Sequence, residues 1–117
     1  MEAIIFTGIQ ASGKSSFYIE RFFRTHLRLN LDMLRTRRRE RMILEACLRA
    51  GQRFVVDNTN PTRQDRERYV ALSRAAHFRP VSYFFDVPPE VAVARNAKRE
   101  GKERIPDDAI WATHHRL

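Results

Sequence analysis

Four short runs of strand-forming residues punctuate the chain: Ala3 to Thr7, Thr25 to Asn30, Arg53 to Asp57 and Pro80 to Val87. The first, third and fourth are nearly continuous in apolar character, as strands covered on both faces are, whereas the second alternates polar and apolar residues. Between these runs the apolar period lengthens to that of a helix. Bulky apolar residues recur at helical spacing from Ser15 to Phe23. A longer pattern runs from about Met33 to Ala50, with Met42, Ile43, Ala46, Cys47 and Ala50 as its expected buried stripe and Gly51 as its stop. Thr62 and Asp65 resemble a capping pair for a helix reaching about Ala76, with Tyr69, Val70, Leu72 and Ser73 beginning its inner face. Pro88-Pro89-Glu90 opens another helix, with prolines in the first turn and an acid near the positive end, and Asp107 to Trp111 starts a short last one. Strands alternating with helices predict an α/β fold, a three-layer αβα sandwich around a parallel sheet of about four strands. No fifth strand is visible, so the pattern describes a minimal or C-terminally shortened version of such a fold. At 117 residues the whole chain is one domain.

The turn between the first strand and the first helix reads Gly8-Ile9-Gln10-Ala11-Ser12-Gly13-Lys14-Ser15, with Ser16 following. Strand, glycine-containing turn and helix in that order form a phosphate-binding loop of the P-loop NTPase type. Gly8 and Gly13 let the backbone curl with its N–H groups inward, and the helix beginning near Lys14 adds its positive end. The expected nucleotide contacts are Gly8, Gln10, Ala11, Ser12, Gly13, Lys14, Ser15 and Ser16. Lys14 bridges the outer phosphates of a nucleoside triphosphate, and the Ser15 hydroxyl is placed to ligate magnesium shared with them.

In open α/β sheets ligands bind outside the carboxyl ends of the strands. The second strand delivers Asn30, Asp32 and Arg35 there, and the third ends in Asp57, the layout of a Walker B strand, ahead of the polar loop Asn58-Thr59-Asn60-Pro61-Thr62. Asp57 is therefore expected near the metal. Asp32 has two readings, a cap for the helix that follows or a catalytic carboxylate, and the neighbouring Arg35 and phosphate loop favour the second. Five arginines, Arg35, Arg37, Arg38, Arg39 and Arg41, fall within seven residues, and on one continuous helix Arg35, Arg38 and Arg39 share a face. Arg37 and Arg41 fit either a solvated surface or contact with an acceptor backbone. Arg95, Lys98 and Arg99 share a helical face ahead of Gly101 to Pro106, a basic segment bracketed by glycine and proline that suits a lid over a nucleotide. Lys102 and Arg104 within it are as well explained by solvation.

Lysine plus arginine number 22 against 14 acids, a formal charge of +8. That surplus favours a polyanionic partner such as nucleic acid, or serves solubility. The single cysteine, Cys47, rules out an internal disulfide and reads as a buried small hydrophobe. His114 and His115 lack a nearby cysteine or third histidine and read as tail residues rather than metal ligands. No apolar run approaches membrane-spanning length, and a core strand follows Met1-Glu2 at once, which predicts a cytoplasmic protein with no membrane partner.

With the loop, Asn30-Leu31-Asp32-Met33-Leu34-Arg35, Asp57-Asn58-Thr59-Asn60-Pro61 and Arg95-Asn96-Ala97-Lys98-Arg99 together, the chain resembles the 5′-hydroxyl polynucleotide kinase-like family, AAA-type ATP-binding P-loop kinases. The resemblance covers nearly the whole chain and is carried by the ordered set. It implies transfer of the γ-phosphate of ATP, with magnesium, to the 5′-hydroxyl end of a nucleic acid. It further implies that Asp32 is the general base, that Arg35 holds the acceptor's phosphate, and that Asp57 supports Arg35 and the acceptor site. Arg95 and Arg99 would belong to the lid over the donor phosphates. The expected catalytic set is thus Lys14, Asp32, Arg35 and Arg99, the acceptor-binding set Asp32, Arg35, Asp57 and Asn60, and the metal pair Ser15 and Asp57. Because fold and donor site do not fix the acceptor, a small-molecule or tRNA-linked kinase and an ATP-binding module without transferase activity stand beside that reading.

Overall fold

The computed structural model describes residues 1–117 apart from the side chain of Lys102, so that lid cation lies outside the described residues. Strands β1 (Glu2–Thr7), β2 (Leu27–Leu29), β3 (Phe54–Val56) and β4 (Arg79–Phe84) form one sheet in the order β2-β3-β1-β4, every pair parallel. Around it lie α1 (Lys14–Arg21), α2 (Leu31–Leu34), α3 (Arg37–Ala50), α4 (Arg63–Ala75), α5 (Pro89–Asn96) and α6 (Asp107–Arg116), with a 3₁₀ turn at Gly101–Glu103. The two-residue alternation of β1 and β3 divides the core between the faces. Ala3, Ile5, Phe54 and Val56, with Leu29, meet Leu44 and Cys47 of α3 and Tyr69 of α4. Ile4, Phe6 and Val55 meet Tyr18 of α1 and Phe22 on the opposite face. The expected α/β architecture with four parallel strands is therefore present.

Several local expectations change. The helix foreseen from Met33 to Ala50 is two helices, because Arg35 takes φ +77° and the Thr36 hydroxyl caps a new start by accepting from Arg39 N at 3.1 Å. Arg35 thus shares no helical face with Arg38 and Arg39. The new start also resets the buried stripe, which is Glu40, Leu44 and Cys47 with Ile43 and Leu48 beside it, while Met42, Ala46 and Ala50 are exposed. Cys47 is buried as expected, and burial pushes its thiol pKa up. The fourth strand stops at Phe84 and is only partly covered, with Ser82 and Phe84 exposed, because it pairs with β1 alone and forms an edge. Helix α5 ends at Asn96, so Lys98 and Arg99 lie beyond it rather than on its face. The capping box of Thr62 and Asp65 is formed.

A third apolar cluster bears directly on the phosphate loop. Ile9 and Ala11 of the loop pack against Ala92 of α5 and Ile110 of α6, and Gln10 Nε2 donates to Thr113 Oγ1 of α6 at 3.0 Å. The last helix is therefore a buttress for the loop, more than the short start the sequence suggested. Among the described residues no helix is long and apolar enough to cross a membrane. Ile110 is wholly buried, and Ile110→Ala is expected to lower stability by about 2–5 kcal/mol, read as a fall in the urea midpoint. Since the cavity opens beneath the loop, nucleotide affinity is expected to fall in the same variant.

Candidate active site

The loop geometry explains its small residues. A Cβ on Gly8 would stand 2.9 Å from both Phe85 Cβ and Ser12 Oγ, and Gly8 N donates to Thr59 O at 3.0 Å, so the backbone passes too close for a side chain. Gly13 takes φ +97° and Ala11 φ +59°, the left-handed turns that let successive N–H groups face inward. Lys14 curls into this concavity, its Nζ donating to Gly8 O at 2.9 Å, Ile9 O at 2.6 Å and Ser12 Oγ at 3.4 Å. Burial lowers its pKa to about 8; Asp57 and Asp32 oppose that shift and Arg99 adds to it. Ser16 is exposed at the start of α1.

Beside the lysine sits a closed triangle. The Ser15 hydroxyl donates to Asp57 Oδ2 at 2.9 Å, Arg28 Nε donates to the same oxygen at 2.8 Å, and Arg28 Nη2 donates to Ser15 Oγ at 2.9 Å. Arg28 was not among the sequence candidates. Its signal was an arginine inside a strand of a parallel sheet, where a charge requires a partner. The hydroxyl of Ser15 and the carboxylate of Asp57 are hard oxygen donors, which fits magnesium, an ion that binds one or two protein oxygens together with substrate phosphates. Among the described residues no cluster of three His, Cys, Asp or Glu side chains forms a metal site by itself.

After β2, Asn30 and not Asp32 caps α2: Asn30 Oδ1 accepts from Met33 N at 3.0 Å while Nδ2 donates to Asp57 O at 2.6 Å. Asp32 is thereby released from the capping role and stands exposed one residue into the helix. A buried network that the sequence did not disclose holds this corner. Tyr69 OH donates to Glu40 Oε1 at 2.8 Å and accepts from Arg37 Nη1 at 2.9 Å, and Asn58 Nδ2 donates to Glu40 Oε2 at 2.9 Å. Asn58 Oδ1 in turn accepts from Leu31 N at 2.9 Å, next to Asp32. Burial, aided by Glu40, pushes the Tyr69 hydroxyl up to about 12, so it remains a donor at neutral pH. Glu40 was legible in principle as an acid on the stripe of Leu44 and Cys47.

Asn60 points elsewhere: it is buried at φ +44°, and its Nδ2 donates to Phe6 O at 2.8 Å, tying the loop to β1. Arg95 Nη1 reaches Ala11 O at 3.4 Å, beside the loop, and Arg99 Nη1 reaches Glu103 O at 3.3 Å. The segment after α5 is pinned by Asn96, wholly buried, whose side chain accepts from Ile105 N at 3.0 Å and donates to Ile105 O at 2.6 Å. The loop, Asp57 and Asp32 therefore lie at the carboxyl edge of the sheet, with Arg95 beside the loop. Arg35 is exposed after α2, and Asn60 faces the sheet.

The family profile described as an AAA domain matches residues 4–117. The chain belongs to the AAA domain family. Solved structures agree on the scaffold of this AAA domain. A gluconokinase from Sinorhizobium meliloti 1021 is similar with TM-score 0.71 and 17% identity, over 99% of this chain and 74% of its own. The Mycobacterium tuberculosis APS kinase CysC, in complex with AMPPNP and APS, gives TM-score 0.58 and 20% identity, over 83% of this chain and 69% of its own. A chain of the Pnkp1/Rnl/Hen1 complex gives TM-score 0.67 and 20% identity, over 92% of this chain and 43% of its own. At such identities the likeness establishes the fold alone, an α/β domain around a parallel sheet.

The buried lysine gives this AAA domain a pH signature. Below pH 8 Lys14 is charged in both folded and unfolded chains; between about 8 and its ordinary value of 10.5 the folded chain has lost a proton that the unfolded chain keeps. Stability is therefore expected to rise with pH across that window. Phosphate prefers the ammonium, so ADP affinity should fall above pH 8 and binding there should take up a proton. Calorimetry in buffers of different ionisation enthalpy measures that uptake, and Lys14→Met should abolish both trends.

Proposed function

We propose that this chain transfers the γ-phosphate of ATP to a 5′-hydroxyl end of a polynucleotide. One observation carries the reading: Lys14 fills the curl of the loop beside the Ser15–Asp57 pair, and Asn30, bonded to the carbonyl of Asp57, caps the helix that carries the exposed Asp32. A cation for donor phosphates and an exposed carboxylate for an incoming hydroxyl thus lie at the same edge of the sheet. Lys14 and the inward loop amides bind the donor phosphates. Asp32, not held as a cap, accepts the proton of the acceptor hydroxyl, and Arg35 binds the adjoining acceptor phosphate as a planar fork. Arg95 and Arg99 balance the charge that develops during transfer. Ser15 and Asp57 would hold magnesium, which supplies charge neutralisation at the outer phosphates.

The arginines around Asp32 support a polyanionic acceptor. Arg37 and Arg41 pair with Glu40 and Glu45, while Arg35 and Arg38 are exposed. A second reading, a kinase for a sugar or other small molecule, is favoured by the gluconokinase likeness, which extends over 99% of this chain. The test incubates the protein with γ-labelled ATP, magnesium and a 5′-hydroxyl oligonucleotide, beside a panel of sugars and nucleosides. Label on the oligonucleotide, weakening as salt rises, supports the proposal; label confined to a small acceptor supports the second reading. Label on no acceptor, with ATP still bound, would leave an ATP-binding module. Asp32→Asn is expected to lower the transfer rate by about 10²–10⁴-fold without weakening ATP binding.

A further inference from the structure

Arg28 is the residue of the site that none of the roles above uses, and its contacts are specific. Its guanidinium spans the two oxygens that would serve a magnesium ion, with Nε 2.8 Å from Asp57 Oδ2 and Nη2 2.9 Å from Ser15 Oγ. The Asp57 side chain is 1% exposed and that of Arg28 is 28% exposed, so a buried carboxylate is neutralised by a cation that solvent can reach. Strand alternation produces the placement. Leu29 enters the core beside α3, so Arg28, its neighbour on β2, points to the α1 side, where Ser15 begins the helix. Its guanidinium carbon lies 5.9 Å from the centroid of the Tyr18 ring, a face that attracts a cation.

A divalent ion bound by Ser15 and Asp57, directly or through water, draws on the same lone pairs. The Ser15 hydroxyl already donates to Asp57 and accepts from Arg28, and Asp57 Oδ2 already accepts from both. Two cations cannot share that oxygen pair without repulsion at contact distance. We propose that Arg28 is the resident counter-ion of the Ser15–Asp57 pair and that a divalent ion binds only by displacing its guanidinium. Metal affinity is then set by a side chain of the second strand, and the metal contribution to nucleotide binding is smaller than the oxygen ligands alone would give. The displaced guanidinium keeps the Tyr18 face and solvent within reach.

The inference rests on the metal role assigned above to Ser15 and Asp57. It is tested by calorimetric ADP affinity with Mn²⁺ and with EDTA, for the native chain, Arg28→Met, Arg28→Gln and Arg28→Met/Ser15→Ala. The ratio of the two affinities reports the metal's contribution free of any catalytic step. Both single variants should raise that ratio on the order of tenfold, the scale of a lost charge-assisted hydrogen bond, and Ser15→Ala should remove the gain. Thermal melts should show Arg28→Met destabilised in EDTA and recovering with Mn²⁺ and ADP more than the native chain does, which a merely structural salt bridge would not produce. An unchanged ratio in the variants, with Mn²⁺ strengthening ADP binding in all forms, overturns the displacement and leaves the proposed kinase standing. No effect of Mn²⁺ on any form overturns the displacement together with the magnesium assignment. Failure of every form to bind ADP overturns the proposed function as well.

Discussion

The structure depends on keeping one stretch of backbone, Gly8 to Ser15, in a tight curl with left-handed residues at Ala11 and Gly13. Such a curl opposes both solvation of the N–H groups and the preference of L-residues for negative φ, which Ala11 violates at φ +59°. It persists because packing determines it from every side. β1 enters it as an inner strand between β3 and β4, Phe85 closes on Gly8, and Ile9 and Ala11 sit in an apolar pocket made by α5 and α6. The distant end of the chain is thus part of the loop. In the free loop the Lys14 ammonium occupies the concavity by bonding the carbonyls of Gly8 and Ile9.

The loop's electrostatics follow from that geometry. Lys14 loses hydration, which lowers its pKa, and the acids that limit the loss come from different strands: Asp57 follows β3 and Asp32 follows β2. A parallel sheet brings strand ends of distant sequence to one edge, so charges separated by dozens of residues become neighbours without any chain contact of their own. The same edge brings Arg28 to Asp57. Lys14 and Asp57 are buried there while Asp32 is exposed, so the attraction between the first two is the less screened.

How much of this was legible depended on whether a feature is local. The capping box of Thr62 and Asp65 is set by neighbours within a few residues, and the glycine spacing of the loop and the apolar surroundings of Cys47 are local signals too; each appears in the structure. The four strands were legible too, although the edge position of β4 was not, because apolar character does not reveal how many neighbours a strand has. The long helix failed at Arg35, where a positive φ and the Thr36 cap restart the helix in a new phase; the threonine was visible, but a dense run of helix-favouring arginines concealed the break. Asn60 illustrates another limit. Its amide could serve a ligand or the backbone, and only the three-dimensional proximity of Phe6 O decides where it points. Arg28, Glu40 and Asn96 all have partners at least nine residues away, beyond what spacing can show.

The two halves of the crevice are held by different physics. The phosphate loop is fixed by close packing of apolar groups and, at Gly8, by an absent side chain, since a Cβ there would collide with Phe85 and Ser12. The corner around α2 is fixed by directional bonds: Asn30 to Asp57, Asn58 to Leu31, and Glu40 to Tyr69 and Asn58. Hydrogen-bonded corners tolerate changes in the exposed residues they carry, provided the buried partners are kept, because the bonds specify backbone position rather than outward side-chain identity. Asp32, on the short, separately capped α2, and Arg35, in the strained turn that joins α2 to α3, are such outward residues. The exposed residues of α2 and the start of α3 can therefore change without disturbing the loop, because the loop's shape is set by a different part of the core.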